Sequence, residues 1–253
     1  MCAKILIEKA GPVTTIVINR PEARNALDIE ATRLLGEALR AFEADPEAQV
    51  AVLWGAGGAF CAGADLKELA AGMRYEPWAG SAGGPLRAPL SKPVIAAVSG
   101  YACAGGLGVA LWCDLRVAEE NATFAVLSRR WGVPMSDGTT VRLPRLIGMG
   151  RALDMLLTAR KVDAHEAERI GLVNRVVPVG QSRQAAEELA RQIAAFPPIA
   201  MLSDRRSALE QWSMLEDAAL INEAALSLAA RQLEAETGAQ AFAEGAGRHG
   251  TRA

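Results

Sequence analysis

The stretch at residues 99–114 constrains the fold most strongly, because it joins a buried strand to an apolar helix through a cluster of small residues. Residues 94–98 predict the strand, and the cluster contains Gly105, Gly106 and Gly108. A helix N-terminus offers unpaired N–H groups and about half a positive charge, while glycine permits positive φ angles and close approach of a ligand to the backbone. The stretch therefore predicts a socket for a negatively charged oxygen. A tight strand-to-helix turn inside a packed core is the alternative.

Size and charge favour a globular protein that binds neither nucleic acid nor membranes. The 253 residues can bury a sizeable core as one large domain or as a domain with an appendage. The net charge of −2, with basic residues scattered along the chain, gives no electrostatic reason to expect nucleic acid or an acidic membrane surface. No run approaches the roughly 18 apolar residues of a membrane span, and the N-terminal segment MCAKILIEKAG is too short and too charged for a signal peptide.

The cysteine pattern favours reduced thiols in a cytoplasmic protein. Cys2, Cys61, Cys103 and Cys113 show no paired spacing typical of metal ligands. A chain of this size has no need of disulfides for stability. We therefore expect no metal site and a cytoplasmic location.

The order of the elements predicts an α/β fold followed by helices. Residues 5–9 and 13–19 predict a hairpin, and Asp28 is a candidate N-cap for the first helix. Strands and helices then alternate up to a last strand at residues 172–177, after which only helical periodicity follows. We interpret residues 1–195 as an α/β core and residues 196–253 as a helical region for oligomerisation and pocket closure.

One segment lacks any regular pattern. Residues 72–91 contain four glycines and three prolines, a composition typical of loops. Two interpretations stay open for it: a mobile cover over a binding site, or a plain surface loop.

Several motifs, in order and in register, resemble the crotonase superfamily, the enoyl-CoA hydratases and isomerases. They are NRPEARNAL at residues 19–27, AFCAGADLKEL at 59–69, KPVIAAVSGYACAGG at 92–106, CDLRVA at 113–118, RLPRLIG at 142–148 and GLVNRVVP at 171–178. The resemblance implies an α/β spiral of strand-strand-helix units with a C-terminal helical region, assembled as trimers or hexamers. It implies an acyl-CoA thioester as the ligand, with coenzyme A as part of the substrate and no permanently bound cofactor. A cytoplasmic lyase or isomerase of fatty acid metabolism is the activity it suggests.

The resemblance also assigns roles to particular residues. Reactions of this family place negative charge on the thioester oxygen, and two backbone N–H groups stabilise it; by motif these belong to Ala64 and Gly105. Arg24 is the candidate for a contact with a coenzyme A phosphate, with a solvated surface arginine as the alternative. Lys67 is either a ligand contact or an ordinary helix-surface pair. The coenzyme A channel as a whole is assigned to Arg24, Ala26, Ala62, Ala64, Asp65, Leu66 and Lys67.

The sequence departs from the hydratase pattern at both acid–base positions. Hydratases of the family use two glutamates, and these fall on Gly108 and Ser128. Neither glycine nor a lone serine performs carboxylate acid–base chemistry near neutral pH. Two-carboxylate hydration is therefore disfavoured, and Ser128 either binds a polar substrate group or fills space.

Asp137 is the candidate replacement. It lies one residue past the position, here Ser136, where other members of the family place a catalytic aspartate. A single acid beside an oxyanion socket can move a proton between carbons, as an isomerase requires. The alternative is an aspartate that caps the helix after Gly138.

Other reactive side chains are weaker candidates for a catalytic role. Cys103 lies beside the socket without a nearby histidine to activate it, and His165 and His249 are expected to be exposed. Trp112 and Trp131 are expected in the core. Three hypotheses follow: an acyl-CoA enzyme with isomerase-like or related chemistry through Asp137, a catalytically silent acyl-CoA-binding or assembly subunit, and an enoyl-CoA hydratase with weak activity.

Overall fold

The computed structural model describes residues 3–246 of the chain. The chain divides into two compact units, Met1–Ile193 and Ala194–Ala253. The first unit contains both sheets and the second contains only helices. Among the described residues, no helix is long and apolar enough to cross a membrane.

The first unit is built on a six-stranded sheet that starts with the predicted hairpin. Its strands β1 (Ile5–Ala10) and β2 (Val13–Ile18) are antiparallel, with Ile5 opposite Ile18. From β2 onward the neighbours are parallel, and β2 is buried along its whole length, as expected for a strand covered on both faces. The sheet order is β1-β2-β3-β4-β6-β9, in which β3 is Val50–Gly55, β4 is Val94–Val98, β6 is Leu115–Glu119 and β9 is Arg175–Val177.

A second sheet of three short strands lies beside the candidate socket. It consists of β5 (Tyr101–Cys103), β7 (Thr123–Ala125) and β8 (Val162–Asp163) in the order β5-β7-β8. The expectation that the apolar helix directly follows β4 was wrong, because β5 intervenes. Gly100 makes the turn from β4 to β5 at φ 51°, where an added Cβ would lie 2.3 Å from the Gly58 carbonyl oxygen.

The strands and helices of the first unit repeat a strand-strand-helix rhythm. After β4 and β5 comes α3, and after β6 and β7 come α4 and α5; β3 is likewise followed by a single bridge from Cys61 to Ala102 and then by α2. This is the predicted spiral. The helices are α1 (Ile29–Ala44), α2 (Leu66–Ala70), α3 (Gly105–Trp112), α4 (Thr139–Ile147), α5 (Met149–Thr158), α6 (Ala164–Arg169) and α7 (Ser182–Ala194).

Local sequence explains where two of these helices begin. The Asp28 carboxylate accepts the N–H of Ala31 at 2.7 Å and caps α1, as predicted. The Asp163 carboxylate accepts the N–H of Glu166 at 2.7 Å and caps α6. In both cases an acceptor side chain satisfies an N–H group that the helix cannot satisfy itself.

A buried arginine fixes the far end of α3. Arg116 is 2% exposed, and its guanidinium donates to the carbonyl of Cys113 at 2.8 Å, to that of Ala110 at 3.3 Å and to that of Leu172 at 2.7 Å. A cation at this end of a helix satisfies the last carbonyls and complements the helix dipole. The opposite end of α3 is the candidate socket.

The second unit is helical throughout its described part. It contains α8 (Pro198–Glu210), α9 (Glu216–Ala230), a π-helical turn (Arg231–Ala235) and α10 (Glu236–Ala243). The Glu234 carboxylate accepts the N–H groups of Ile199 and Ala200 at 3.0 and 2.8 Å and so caps the first turn of α8. Large apolar side chains more than half exposed in this unit are Phe196, Trp212, Leu215, Leu220, Ile221, Leu228, Leu233 and Phe242.

Candidate functional site

A cavity of about 580 Å³ opens in the first unit at the N-terminal end of α3. Backbone from residues 62–64 and 104–105 forms one side of it. The rest is formed by side chains of α2 and of residues 74–78 and 127–137. The walls are mainly apolar, with a few polar groups, which is the usual composition of a small-molecule site. The apolar lining side chains include Leu66, Leu69, Trp78, Leu127, Trp131, Val133, Pro134 and Met135.

The Ala64 N–H points away from Leu27, the residue that pairs with Ala64 in a parallel bridge. The Leu27 N–H donates to the Gly63 carbonyl at 2.8 Å, and the Asp65 N–H donates to the Leu27 carbonyl at 3.0 Å. In a parallel bridge of this kind the residue between the two bonds directs its own N–H to the opposite side. On that side lie β5 and the start of α3, so the Ala64 amide points towards the socket.

The Gly105 amide borders the same space. It is the first residue of α3, where an N–H has no partner within the helix, and across residues 3–246 no protein acceptor is bonded to it or to the Ala64 amide. A Cβ added to Gly63 would lie 2.8 Å from the Gly105 nitrogen, so the two backbones are in direct contact. Two free N–H groups therefore border one small region of the cavity.

The positive φ angle of this turn lies at Ala104, not at the glycines. Ala104 has φ 50° and ψ −125°, whereas Gly105 and Gly106 have ordinary negative φ. Positive φ, one of the two reasons expected for these glycines, was therefore wrong. The reason is close packing: a Cβ at Gly105 would lie 2.6 Å from the six-membered ring of Trp78, and one at Gly106 would lie 1.9 Å from the Cys61 carbonyl oxygen.

Asp137 lies against the third glycine, Gly108. A Cβ at Gly108 would lie 2.4 Å from the Asp137 carboxyl carbon. Gly108 follows Gly105 by one turn of α3, about 4.5 Å along the helix axis, so the carboxyl group lies beside the socket. Asp137 lines the cavity and is 4% exposed.

The Asp137 carboxyl also caps a helix. Its Oδ1 accepts the N–H of Thr139, the first residue of α4, at 2.9 Å. The bond satisfies the first N–H of α4 as the capping interpretation expected, although it comes from the residue before Gly138, which is the N-cap of α4. Burial raises the pKa of Asp137, and the hydrogen bond from the Thr139 N–H opposes that shift without cancelling it. A carboxyl with a raised pKa is better matched to proton transfer near neutral pH.

Residues 74–78 of the segment 72–91 contribute to the cavity wall, although most of the segment is exposed, so it is more than a plain surface loop. Trp78 and Leu86 are 5% and 0% exposed. Arg142 donates to the Leu86 carbonyl at 2.6 Å and to the Asp137 carbonyl at 3.0 Å, and so ties this segment to the loop that carries Asp137. Sequence reasoning overlooked Trp78 and Arg142. A tryptophan within a glycine- and proline-rich segment was the available signal.

Ser128 and Trp131 line the opposite wall of the cavity. The Ser128 hydroxyl donates to the Met135 sulfur at 3.2 Å and is 7% exposed. Trp131 is 72% exposed, so its expected place in the core was wrong. Trp112 is buried, as expected, and donates to the Ala88 carbonyl at 3.0 Å.

The residues assigned to the coenzyme A channel fall into two groups. Ala62, Ala64 and Leu66 line the cavity. The others are not among the described residues that line it. Asp65 caps α2 by accepting the Lys67 N–H at 3.1 Å and pairs with Arg20 at 3.0 Å.

The remaining members of the assigned channel are Arg24, Ala26 and Lys67. Arg24 is exposed and places its guanidinium 5.5 Å from the centre of the Tyr101 ring. The ammonium group of Lys161 lies 6.0 Å from the same ring. Lys67 is exposed on α2, and the Ala26 carbonyl accepts a hydrogen bond from Arg20.

The thiols and histidines show no activated nucleophile. Burial raises the pKa of Cys61 to about 12 and that of Cys103 to about 11, so both remain protonated at neutral pH. His165 is exposed on α6, whereas Cys2 and His249 lie outside the described residues. Between residues 3 and 246, no cluster of histidine, cysteine, aspartate and glutamate side chains could hold a metal ion.

The sequence and the fold both match known proteins. The enoyl-CoA hydratase/isomerase family profile matches residues 8–249. Enoyl-CoA hydratase EchA19 of Mycobacterium tuberculosis is 38% identical over 247 residues, covering 94% of this chain and 93% of the relative. Carnitinyl-CoA dehydratase of Proteus mirabilis is 36% identical over 253 residues, covering 96% and 97%.

Among solved structures, enoyl-CoA hydratase EchA1 from Mycobacterium marinum superposes with a TM-score of 0.89 at 34% identity, over 95% of this chain and 96% of that one. An enoyl-CoA hydratase from Mycobacterium tuberculosis gives 0.88 at 35% identity, with the same coverage. The spiral of strand-strand-helix units, the socket motifs and these matches lead to one conclusion: the chain belongs to the enoyl-CoA hydratase/isomerase family of the crotonase superfamily.

Proposed function

We propose that the protein forms an enolate from an acyl-CoA thioester and moves a proton between carbons, as in the isomerisation of an unsaturated acyl-CoA. The observation that carries the proposal is the Asp137 carboxyl, which lies against Gly108, one helical turn from the free Gly105 amide. By alignment with the family, Gly108 and Ser128 replace the two hydratase glutamates. Two carboxyl side chains of residues 3–246 line the cavity: Glu76 is exposed, whereas Asp137 is buried beside the socket. We therefore assign the acid and base role to Asp137.

The proposed chemistry assigns one step to each group. The Ala64 and Gly105 N–H groups donate to the thioester oxygen, where negative charge develops. The Asp137 carboxylate takes a proton from the α-carbon, and the electron pair moves into the thioester to give the enolate. Asp137 then returns the proton to the γ-carbon, which shifts the double bond into conjugation with the thioester. No cofactor is needed, since coenzyme A enters as part of the substrate.

Binding of the coenzyme A portion is proposed along the cavity wall and its mouth. Ala62, Ala64 and Leu66 line the cavity, which supports their contact with the pantetheine arm. Arg24 and Lys161 flank the Tyr101 ring and are suited to bind phosphate groups by charge-assisted hydrogen bonds.

Self-association into trimers or hexamers is proposed for the helical unit. Leu215 is 84% exposed and Ile221 is 72% exposed. Exposed apolar side chains in such number are typical of protein–protein contact surfaces. Cytoplasmic location and a role in fatty acid metabolism remain predictions.

Weak hydration is a second candidate activity. The named activities of two relatives, an enoyl-CoA hydratase and a carnitinyl-CoA dehydratase, favour it, since both act by adding or removing water. Only one of the two carboxyls that line the cavity in the described part of the chain, Asp137, is buried beside the socket. The lack of a second positioned carboxyl there argues against an efficient reaction, because each positioned acid or base contributes about 10²–10⁴-fold in rate. A catalytically silent subunit that binds acyl-CoA is the third.

Two substrates distinguish these candidates. With 3-butenoyl-CoA, the proposed isomerase produces the conjugated enoyl thioester and its ultraviolet absorbance rises. With crotonyl-CoA, the same absorbance falls only slowly, because hydration lacks its second carboxylate. Rapid loss of crotonyl-CoA absorbance would contradict the proposal. Calorimetric binding of both thioesters without turnover of either would identify the silent subunit.

A further inference from the structure

The contact between Gly108 and Asp137 sets a limit on what this site can contain. We infer that Gly108 determines the reaction specificity of the site, because a carboxylate on α3 at position 108 and the Asp137 carboxylate exclude each other. The effect on reaction specificity rests on the proposed function. The mutual exclusion of the two carboxylates rests only on the contact between Gly108 and Asp137.

The space beside Gly108 is filled by Asp137. A Cβ at Gly108 would have Asp137 as its three nearest atoms, with Cγ at 2.4 Å, Oδ1 at 2.7 Å and Cβ at 2.8 Å. Carbon atoms in favourable contact are about 3.5–4.0 Å apart. Any side chain at position 108 therefore has to displace the Asp137 side chain before it can extend into the cavity.

Asp137 is held where it is from three directions. Its Oδ1 accepts the Thr139 N–H at 2.9 Å, so rotation about the Cα–Cβ bond breaks this cap. Its carbonyl accepts a hydrogen bond from Arg142 at 3.0 Å. The carbonyl of the preceding residue, Ser136, accepts the Ala79 N–H at 3.1 Å.

The helix on the other side of the contact is equally constrained. Gly106 packs so closely on the Cys61 carbonyl that an added Cβ would lie 1.9 Å from its oxygen. Arg116 holds the last carbonyls of α3, with 2.8 Å to that of Cys113. A shift of α3 or of the Asp137 loop away from the contact would break these hydrogen bonds and packing contacts. The site therefore accommodates either a carboxylate on α3 at position 108 or the carboxylate of Asp137, but not both.

Reaction type follows from this exclusion. A carboxylate at position 108 extends from the socket helix, as in the hydratases of the family, and Asp137 extends from the loop before α4. The absence of a side chain at Gly108 thus selects the Asp137 arrangement. Converting the site to two-carboxylate hydration requires glutamates at 108 and 128, and the glutamate at 108 is coupled to removal of the side chain at 137.

A stability cycle tests the exclusion without any need for turnover. We expect Gly108→Ala to lower the urea midpoint in the wild-type background and to raise it in the Asp137→Gly background, where the helix gains alanine without a clash. Gly150→Ala is the matched control: Gly150 lies in α5 with no atom within 4 Å of an added Cβ, so its effect should be the same in both backgrounds. An equal effect of Gly108→Ala in both backgrounds would overturn the inference.

An activity cycle tests the consequence for specificity. Gly108→Glu alone should reduce isomerisation of 3-butenoyl-CoA by about 10²-fold or more and yield little hydration of crotonyl-CoA. In a Ser128→Glu background, which supplies the second glutamate, Gly108→Glu combined with Asp137→Gly should hydrate crotonyl-CoA faster than Gly108→Glu with Asp137 intact. Equal hydration rates with and without the Asp137 side chain in that background would contradict the exclusion. If wild type isomerises nothing while the stability cycle reverses sign, the proposed function fails and the exclusion stands.

Discussion

Replacing Asp137 with asparagine separates its role in proton transfer from its role as a helix cap. The asparagine Oδ1 can still accept the Thr139 N–H, which the aspartate accepts at 2.9 Å. It cannot take a proton from carbon. We therefore expect isomerisation to fall by about 10²–10⁴-fold, which corresponds to about 2.7–5.4 kcal/mol in the activation barrier.

The same substitution should affect the stability of the fold differently from its effect on activity. Burial raises the pKa of Asp137, so between the unfolded and folded pKa values the folded state binds the proton and the unfolded state does not. Stability of the wild type therefore falls as pH rises through the folded pKa. Asparagine carries no charge, so Asp137→Asn should be at least as stable at pH 7 as wild type. This advantage should shrink as pH falls from the folded towards the unfolded pKa and vanish below the unfolded pKa.

Asp137→Ala is the matched comparison, because it removes the cap and the carboxyl together. Loss of a cap costs about 1 kcal/mol, which lowers Tm by about 2–4 °C in a chain of this size. Both variants would be measured by urea and thermal denaturation at pH 7 and pH 5, and by the 3-butenoyl-CoA assay. Wild-type turnover by Asp137→Asn would refute the assignment of Asp137 as acid and base.

Three further predictions concern the socket and the cavity mouth. Gly106→Ala should lower the free energy of unfolding by about 1–3 kcal/mol, because its Cβ would lie 1.9 Å from the Cys61 carbonyl oxygen. Urea denaturation measures this loss, and an unchanged midpoint would show that the turn relaxes freely. Ala104→Gly should raise stability by relieving a residue at φ 50°, by about 1 kcal/mol, and a loss in thermal denaturation would contradict this. Arg24→Ala should weaken calorimetric binding of coenzyme A while leaving that of an acyl-pantetheine unchanged, since only coenzyme A carries the phosphates; equal loss for both ligands would assign Arg24 a structural role.

Much of the fold could be predicted from local patterns. The hairpin followed from the patterns at residues 5–9 and 13–19, and the cap of α1 followed from Asp28, since these signals are local in sequence. The strands β5 and β8 were missed because three and two residues are too few to show a period. Their pairing is decided by contacts with β7, which lies at a distance in sequence from both.

The resemblance to the family pointed to the backbone of the site, whereas the side-chain contacts could not be predicted. The family motifs assigned the N–H groups of Ala64 and Gly105, and that role stays a prediction. The packing of Asp137 on Gly108 and of Trp78 on Gly105 depends on two loops folding back over α3. Sequence periodicity carries no information on such loop placement, so this reason for the glycines was not foreseen.

The most direct test of the account is a crystal structure of the protein with butyryl-CoA, a saturated thioester that offers no double bond to shift or hydrate. The account predicts the thioester oxygen within about 2.7–3.1 Å of both the Ala64 and the Gly105 nitrogens, with the α-carbon beside the Asp137 carboxyl. A thioester oxygen bonded to neither nitrogen, or an α-carbon turned away from Asp137, would contradict it.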